Sequence, residues 1–225
     1  MLASGAVRVK GRMPWSSNAT FLVELALESA MTLAIYKPER GERPLWDFPR
    51  GLYKREVASF ALSEALGWGI VPLTVIRDGP YGEGSFQLFV HADFEQHFFT
   101  LVEDTAHHDR LRRICLFDLL ANNADRKSGH CLLGPEGAVY AIDNGLTFHV
   151  EPKLRTVIWQ FSGEPIPDEL LRDVQRLLEA GFPPALAELL GTDERKVLAA
   201  RARAVLAAAH FPGDKAGYRY PWPPV

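Results

Sequence analysis

The sequence has little cysteine and no long hydrophobic run, and each shortage excludes a class of protein. The 225 residues include two cysteines, Cys115 and Cys131, each inside an apolar stretch. We expect both to be reduced core residues, because two such thiols make neither a disulfide framework nor a zinc knuckle. No apolar stretch approaches the roughly 20 residues that a membrane-spanning helix needs. The N-terminal residues 1–12 also lack the long apolar stretch of a secretory signal.

The chain also lacks a strong charge of either sign. Its 25 Lys and Arg and 28 Asp and Glu give a net charge of −3. Bulk electrostatics therefore gives no reason to expect nucleic acid or an acidic membrane as a partner. The apolar fraction of 47% and the charged fraction of 24% are ordinary for a soluble globular protein. We expect a cytoplasmic protein without a stable membrane anchor.

The kind of predicted element changes near residue 91. Hydrophobic periodicity predicts strands before this point in Ala6–Lys10, Phe21–Leu27, Met31–Tyr36, Val71–Arg77 and Ser85–His91, with one helix in Arg55–Leu66. The predicted helices after this point are Phe94–Val102, Asp109–Ala121, Glu169–Ala180 capped by Asp168, Pro183–Leu190, and Asp193–His210 capped by Thr192. This change predicts two lobes, residues 1–91 and 92–225, with a ligand cleft between them.

Residues 118–146 bring together the polar side chains that suggest a chemical function. A helical run gives way to a polar loop that carries Asp125, Arg126 and His130. Two short apolar segments then predict a β-hairpin, and Asp143 follows the second segment directly. One of these carboxylates can orient a hydroxyl nucleophile while the other holds Mg²⁺ against phosphate oxygens. The stretch therefore favours phosphoryl chemistry with a divalent metal.

Asp118 stands on the apolar stripe of the helix that precedes this loop. A buried carboxylate normally has a hydrogen-bond partner. We expect its partners to be backbone or arginine groups of the following loop, which would make Asp118 a scaffold residue.

Three features of the first half have both a functional and a structural interpretation. Residues 16–20 form a polar turn whose backbone N–H groups could approach a phosphate, although taken alone the stretch is better explained as an ordinary hairpin turn. Lys37 ends a strand, where it could reach phosphate or simply be solvated. Glu56 lies in the first turn of a helix, where the helix dipole favours a carboxylate. Its functional alternative is a pair with Lys37.

Three stretches resemble the phosphoinositide 3/4-kinase branch of the protein-kinase-like superfamily, particularly type II phosphatidylinositol 4-kinases and small actinobacterial proteins. Ser85–Val90 is similar to the last strand and hinge of the family's N-terminal lobe. Asn122–Arg126 resembles its Asn-x-Asp-Arg catalytic loop, and Ala141–Leu146 its metal-binding segment. The likeness, over about residues 15–150, implies an α+β, two-lobed protein-kinase-like fold with an antiparallel-sheet N-lobe and a mainly helical C-lobe.

The resemblance implies that ATP is the nucleotide and gives each matched position a role. The turn that would cover the ATP phosphates consists of Ser17, Asn18 and Ala19. Lys37 would hold the α- and β-phosphates and pair with Glu56, while Phe89 and Val90 would offer backbone hydrogen bonds to adenine.

In the second half, the resemblance implies a catalytic aspartate and a metal site. Asp125, followed by Arg126, would be the catalytic aspartate, and Asp143 would bind Mg²⁺. The family usually has a metal-binding Asn five residues after the catalytic aspartate, where this chain has His130. Neutral imidazole ligates Mn²⁺ but is a poor Mg²⁺ ligand. The chain could therefore use Mn²⁺, use one Mg²⁺ held by Asp143, have a different substrate geometry, turn over slowly, or bury His130 as an ordinary core residue.

The acceptor is open at this point. Residues 144–157 occupy the activation-loop position, where lipid kinases need basic residues, and they offer only His149, Lys153 and Arg155. No inserted amphipathic or cysteine-rich anchor is present in the sequence. We therefore expect an atypical kinase that transfers the ATP γ-phosphoryl group to a hydroxyl of a protein or of a small-molecule or inositol-type acceptor. The alternatives are a nucleotide-binding pseudokinase with a regulatory or scaffold role and, less favoured, a nucleotidyl transferase.

Overall fold

A five-stranded antiparallel sheet forms the first part of the chain. The computed structural model describes residues 1–14, 16, 18–214, 217 and 219–224. The strands are β1 (Ala6–Arg12), β2 (Phe21–Leu27), β3 (Ala30–Pro38), β4 (Thr74–Gly79) and β5 (Gly82–Leu88), in the sheet order β1-β2-β3-β5-β4. Every neighbouring pair is antiparallel, so consecutive strands pair except where β5 separates β3 from β4.

Alternation of apolar residues along β2 and β3 produces the buried face of this sheet. Val23 and Leu25 of β2 are fully buried, as expected for residues two apart on one face of a strand. Tyr36 of β3 lies opposite Phe86 of β5, and the two rings stack with centroids 4.3 Å apart. These contacts fix the register of β3, whose last residues include Lys37.

The rest of the chain is mainly helical and contains one short hairpin. The helices are α1 (Leu52–Leu66), α2 (Phe98–Leu101), α3 (His108–Ala121), α4 (Asp168–Ala180), α5 (Pro184–Ala187) and α6 (Thr192–Ala208). The hairpin consists of β6 (Cys131–Leu133) and β7 (Val139–Ala141). Residues of α1, α3, α4, α6 and the hairpin share one hydrophobic core, and Cys115 and Cys131 lie in it as free, buried thiols.

This architecture confirms the expected α+β fold class, with an antiparallel sheet first and helices after it. The predicted caps of two helices were wrong. Asp168 and Thr192 are the first helical residues, and the cap positions are Pro167 and Gly191. Glu194 accepts a hydrogen bond from the Gly191 N–H at 2.8 Å, so a side chain of the first helical turn reaches back to the cap residue.

No helix within the described residues is both long enough and apolar enough to cross a membrane.

Gly84 determines how closely β3 and β5 approach beside Lys37. A Cβ at Gly84 would lie 2.7 Å from Pro38 Cα and would also contact the Lys37 carbonyl oxygen. We expect Gly84→Ala to lower the free energy of unfolding by about 1–3 kcal/mol, because backbone atoms must move apart. Gly11→Ala is the matched strand control, since nothing lies within 4 Å of its added Cβ. Urea unfolding of both variants checks this, and equal stability loss would contradict it.

Candidate active site

A fully buried ion pair holds the loop that follows α3. Arg126 Nη2 lies 2.9 Å from Asp118 Oδ1, Arg126 Nε lies 3.0 Å from Asp118 Oδ2, and neither side chain is exposed. Arg126 also donates to the Ile142 carbonyl at 2.7 Å and to Asn144 Oδ1 at 2.6 Å. One guanidinium thus joins α3, its own loop and the segment after β7. The partner of Asp118 is the arginine of the following loop, as the sequence predicted.

Two asparagines shape the turn that presents Asp125. Asn122 ends α3 with φ 55°, in the left-handed region that asparagine tolerates better than most residues. Asn123 donates from its side chain to Asp118 Oδ1 at 3.0 Å and accepts from the Asp125 N–H at 2.9 Å. The position of Asp125 is therefore set by hydrogen bonds on both sides of Asn123.

Lys37 joins the sheet, α1 and the segment after β7. Its ammonium donates to Glu56 and, at 2.7 Å, to Asp143 Oδ1. Glu56 Oε2 also accepts from the Asn144 N–H at 3.0 Å. Burial would lower the pKa of Lys37, but Asp143 and Glu56 outweigh it and raise the pKa above its ordinary value. Lys37 in turn holds the pKa of Asp143 well below its usual range.

Arg55, next to Glu56, fixes α1 from the other direction. Its guanidinium donates to the Thr147 carbonyl and to Glu194 of α6, and the residue is only 6% exposed. The hydroxyls of Ser59 and Thr147 lie 3.3 Å apart. Sequence reasoning assigned no structural role to Arg55, because its partners lie 92 and 139 residues further along the chain.

His130 faces Asp143 as a neutral imidazole. Burial lowers the pKa of His130 to about 4 although Asp143 opposes the shift. Its Nδ1 lies 2.9 Å from the Asp125 carbonyl oxygen and 3.3 Å from the Lys127 backbone nitrogen, so the ring can carry its one proton on either nitrogen. Nε2 lies 3.5 Å from Asp143 Oδ2. In the tautomer with the proton on Nδ1, Nε2 and the carboxylate are two electron-pair donors that could share a divalent cation.

Within the described residues, no group of three or more His, Cys, Asp or Glu side chains is arranged to hold a metal ion. A metal at His130 and Asp143 would therefore need oxygen ligands from phosphate or water as well. This is the arrangement expected for a metal that arrives with a nucleotide.

Two cavities meet at the Lys37–Asp143 ion pair. We name the cavity of about 250 Å³ the apolar cavity and the cavity of about 300 Å³ the polar cavity. The apolar cavity is lined by residues that include Ile35, Leu88, Phe89, Val90, Leu132 and Ile142. The polar cavity contains Asp125 and Glu56, and both cavities share Ser16, Thr20, Lys37 and Asp143.

The two hinge residues differ in what they can offer a ligand. The N–H of Phe89 already donates to the Leu33 carbonyl at 3.1 Å. The N–H of Val90 has no acceptor among the residues that the structure describes. Only Val90 therefore has a backbone donor available to a base in the apolar cavity.

The turn before β2 is only partly described, and Ser17 lies outside the described residues. Asn18 and Ala19 line the polar cavity. The Ala19 N–H, however, donates to the Gly41 carbonyl at 2.9 Å, and Asn18 Oδ1 accepts from the Arg43 N–H at 3.0 Å. The amide of Ala19 is thus already used within the protein.

The three basic residues after Asp143 are used in different ways. Lys153 lies 3.1 Å from Asp47, and the His149 ring packs 5.0 Å from the ring of Phe48. Arg155 forms two backbone hydrogen bonds with the loop after α3: its N–H donates to the Asn123 carbonyl, and its carbonyl accepts from the Arg126 N–H. Lys153 and His149 therefore stabilise the protein itself, which leaves few basic groups for a polyanionic headgroup.

Two solved structures share this fold. Fam20 from hydra, determined with sugar, aligns with a TM-score of 0.55 and 14% identity over 91% of this chain and 85% of that chain. The Helicobacter pylori proinflammatory kinase CtkA aligns with a TM-score of 0.50 and 10% identity over 93% and 94%. At these identities the likeness shows the fold alone, which is the two-lobed kinase-like α+β fold expected from the sequence.

A relative in sequence identifies the family. Protein Rv2133c of Mycobacterium tuberculosis (strain ATCC 25618 / H37Rv) is 41% identical over 260 aligned positions, which cover 99% of this chain and 94% of that protein. The chain belongs to the same family as Rv2133c. No model of a known protein family matches the chain.

The environment of Asp125 leads to a test of pH dependence. Burial raises the pKa of Asp125 to about 6, although Lys127, whose Nζ lies 3.8 Å from Oδ2, opposes the shift. An unfolded Asp has a pKa near 4, so the folded state binds this proton more tightly and loses stability as the pH rises from about 4 to 6.

We expect Asp125→Asn to raise the melting temperature of nucleotide-free and metal-free protein by about 2–4 °C at pH 8, because the substitution removes a poorly solvated charge. The gain should be smaller at pH 5, where the wild-type carboxyl is largely protonated. Thermal unfolding at both pH values checks this, with exposed Glu103→Gln as the surface control. An equal gain at both pH values would contradict the raised pKa.

Proposed function

We propose that this chain is an ATP-dependent atypical kinase that transfers the γ-phosphoryl group to a hydroxyl. The observation that carries the proposal is the meeting of Lys37, Glu56, Asp125 and Asp143 where an apolar and a polar cavity join. A kinase-like fold alone does not establish an activity. The proposal therefore rests on these side chains and on what each can do.

In this proposal the nucleotide spans both cavities. Adenine occupies the apolar cavity, where the Val90 N–H donates to a ring nitrogen and aliphatic side chains cover the ring faces. Lys37 is oriented by Glu56 and holds the α- and β-phosphates. This places the γ-phosphoryl group at the entrance to the polar cavity, near Asp125.

Asp143 and His130 would hold the divalent cation, either Mg²⁺ or Mn²⁺. When bound, the cation neutralises phosphate charge and favours departure of ADP. Lys37 can then move its ammonium from Asp143 Oδ1 to the phosphates, since the metal replaces its charge. Asp143 is 53% exposed at its side chain, so a nucleotide-borne cation can reach it.

Asp125 orients the acceptor hydroxyl and accepts its proton. The hydroxyl oxygen forms a bond to the γ-phosphorus as the bond from that phosphorus to the bridging oxygen of ADP breaks. Catalysis then consists mainly of positioning and charge stabilisation. Arg126 does not contact the substrate in this scheme, because its guanidinium is fully committed to Asp118, Ile142 and Asn144.

The type II phosphatidylinositol 4-kinase likeness remains part of the proposal for the catalytic and metal-binding segments. It does not extend to a lipid acceptor, because Lys153 and His149 are bound within the protein. The similarity to a Fam20 structure determined with sugar supports a small polyol as one kind of acceptor.

A pseudokinase is the second candidate, and two observations favour it. Lys37 occupies an oxygen of Asp143 directly, and His130 stands where a metal-binding amide is expected. A protein with this site could bind a nucleotide without transferring phosphate, and it would then act as a regulatory or scaffold partner.

Turnover of γ-labelled ATP tests the proposal. We expect Asp125→Ala and Asp143→Asn each to lower ADP production or autophosphorylation by about 10²–10⁴-fold, because each removes a group that acts on the reacting atoms. Glu103→Gln, on the exposed surface, is the control. Nucleotide binding without turnover in either Mg²⁺ or Mn²⁺ would favour the pseudokinase, and unchanged turnover in Asp143→Asn would refute the site.

His130→Asn tests the metal. Imidazole nitrogen suits Mn²⁺ better than Mg²⁺, whereas an amide oxygen suits both hard cations. We expect the variant to lower the ratio of turnover in Mn²⁺ to turnover in Mg²⁺ by about tenfold, a change of about 1.4 kcal/mol. Steady-state kinetics in each metal gives the ratio. A ratio equal to that of the wild type would show that His130 is not a ligand.

A further inference from the structure

We propose that the polar cavity binds a small alcohol that carries an anionic group, either phosphate or carboxylate, and that Arg43 binds this group. The inference rests on the proposed kinase function and names its class of acceptor. It distinguishes such an acceptor from a neutral alcohol and from a serine or threonine of a protein.

The polar cavity is where an acceptor must lie. Asp125 lines this cavity and is not among the residues of the apolar cavity. A hydroxyl that uses Asp125 therefore enters from the polar side of the Lys37–Asp143 pair. The volume of about 300 Å³ lies at the lower end for small-molecule sites, so it suits a compact acceptor.

The loop between β3 and α1 forms one wall of the polar cavity, and hydrogen bonds hold its first residues in place. Both carboxylate oxygens of Glu42 accept backbone N–H groups, from Gly51 at 2.9 Å and Tyr53 at 2.8 Å. The Arg43 N–H donates to Asn18 Oδ1 at 3.0 Å. These bonds hold the backbone of Arg43 between α1 and the turn before β2.

The same loop is also fixed further along. Asp47 lies 3.1 Å from Lys153, and both side chains are largely buried. Phe48 packs in a small core cluster with Ala124, which directly precedes Asp125, and with Leu146, which lies three residues after Asp143. The wall is therefore attached to both the sheet-side and the helix-side residues of the site, as a preformed pocket requires.

Arg43 is the cation that this arrangement leaves available. The charged residues that line the polar cavity are Lys37, Glu42, Arg43, Glu56, Asp125 and Asp143. Lys37 bridges Glu56 and Asp143, and Glu42 accepts two backbone groups. The Arg43 guanidinium has no hydrogen bond or ion pair to any residue that the structure describes. A planar guanidinium binds phosphate and carboxylate through two parallel hydrogen bonds.

The γ-phosphoryl group of ATP is a second anionic group that Arg43 could bind instead of the acceptor. The test therefore uses protein already saturated with a non-hydrolysable ATP analogue, with a methylene between the β- and γ-phosphorus, and Mn²⁺. Binding of the triphosphate analogue, and of the diphosphate that lacks its γ-phosphoryl group, is measured first. Matched probes are then titrated by calorimetry: glycerol 3-phosphate against glycerol, and glucose 6-phosphate against glucose.

We expect each anionic probe to bind about 10- to 100-fold more tightly than its neutral partner, as charged hydrogen bonds predict. Arg43→Ala should abolish that difference, and Arg50→Ala should keep it. Arg50 is a matched control because it is an exposed arginine of the same loop. It lines a neighbouring recess and not the polar cavity. Circular dichroism verifies that both variants fold.

Three results would overturn the inference. The first is equal binding of the anionic and neutral probes, and the second is an undiminished preference in Arg43→Ala. The third combines two findings: no probe binds, and Arg43→Ala weakens binding of the triphosphate analogue but not of the diphosphate. This result would assign Arg43 to the γ-phosphoryl group. Failure of the analogue to bind wild-type protein would instead refute the kinase proposal, and this inference with it, before any probe is added.

Discussion

The buried pair of Arg126 and Asp118 is the interaction on which the candidate active site depends. Two charges without exposure to water are costly unless hydrogen bonds satisfy them, and here Asp118, Ile142 and Asn144 all accept from the guanidinium. Removing either partner would leave an uncompensated buried charge. The same contacts set the distance between the loop that carries Asp125 and the segment that carries Asp143. A structural ion pair thus fixes the geometry of the candidate site.

Around this frame, the site brings together charges that come from every part of the chain. Lys37 comes from the sheet, Glu56 from α1, and Asp143 from the end of the hairpin. The attraction between Lys37 and Asp143 raises the pKa of the lysine and lowers that of the aspartate, and Arg55 holds α1 against Thr147 so that Glu56 stays in reach. Asp125 is the exception, since burial disfavours its charge. Perturbed pKa values of this kind cluster at functional sites, which makes Asp125 a candidate functional residue.

The fold and the site support different statements. Kinase-like architecture and family membership with Rv2133c follow from the comparisons, whereas the reaction is a proposal drawn from side chains. His130 is where this site departs most from the kinase pattern. Its neutral ring lies beside Asp143, and with the proton on Nδ1 the Nε2 lone pair could join that carboxylate on a metal, so the departure is compatible with a metal and not only with a lost function.

The sequence by itself determined the elements and the local order of the site. Periodicity located the strands and the long helices, and the short spacing from Asp125 to Asp143 implied a loop, a hairpin and two carboxylates. Only the tertiary structure decided that the Phe89 N–H is already used, that Arg55 holds α1, and that the loop containing Arg43 lines the polar cavity. The physical reason is that these contacts join residues far apart in the chain, and a local pattern carries no record of a distant partner.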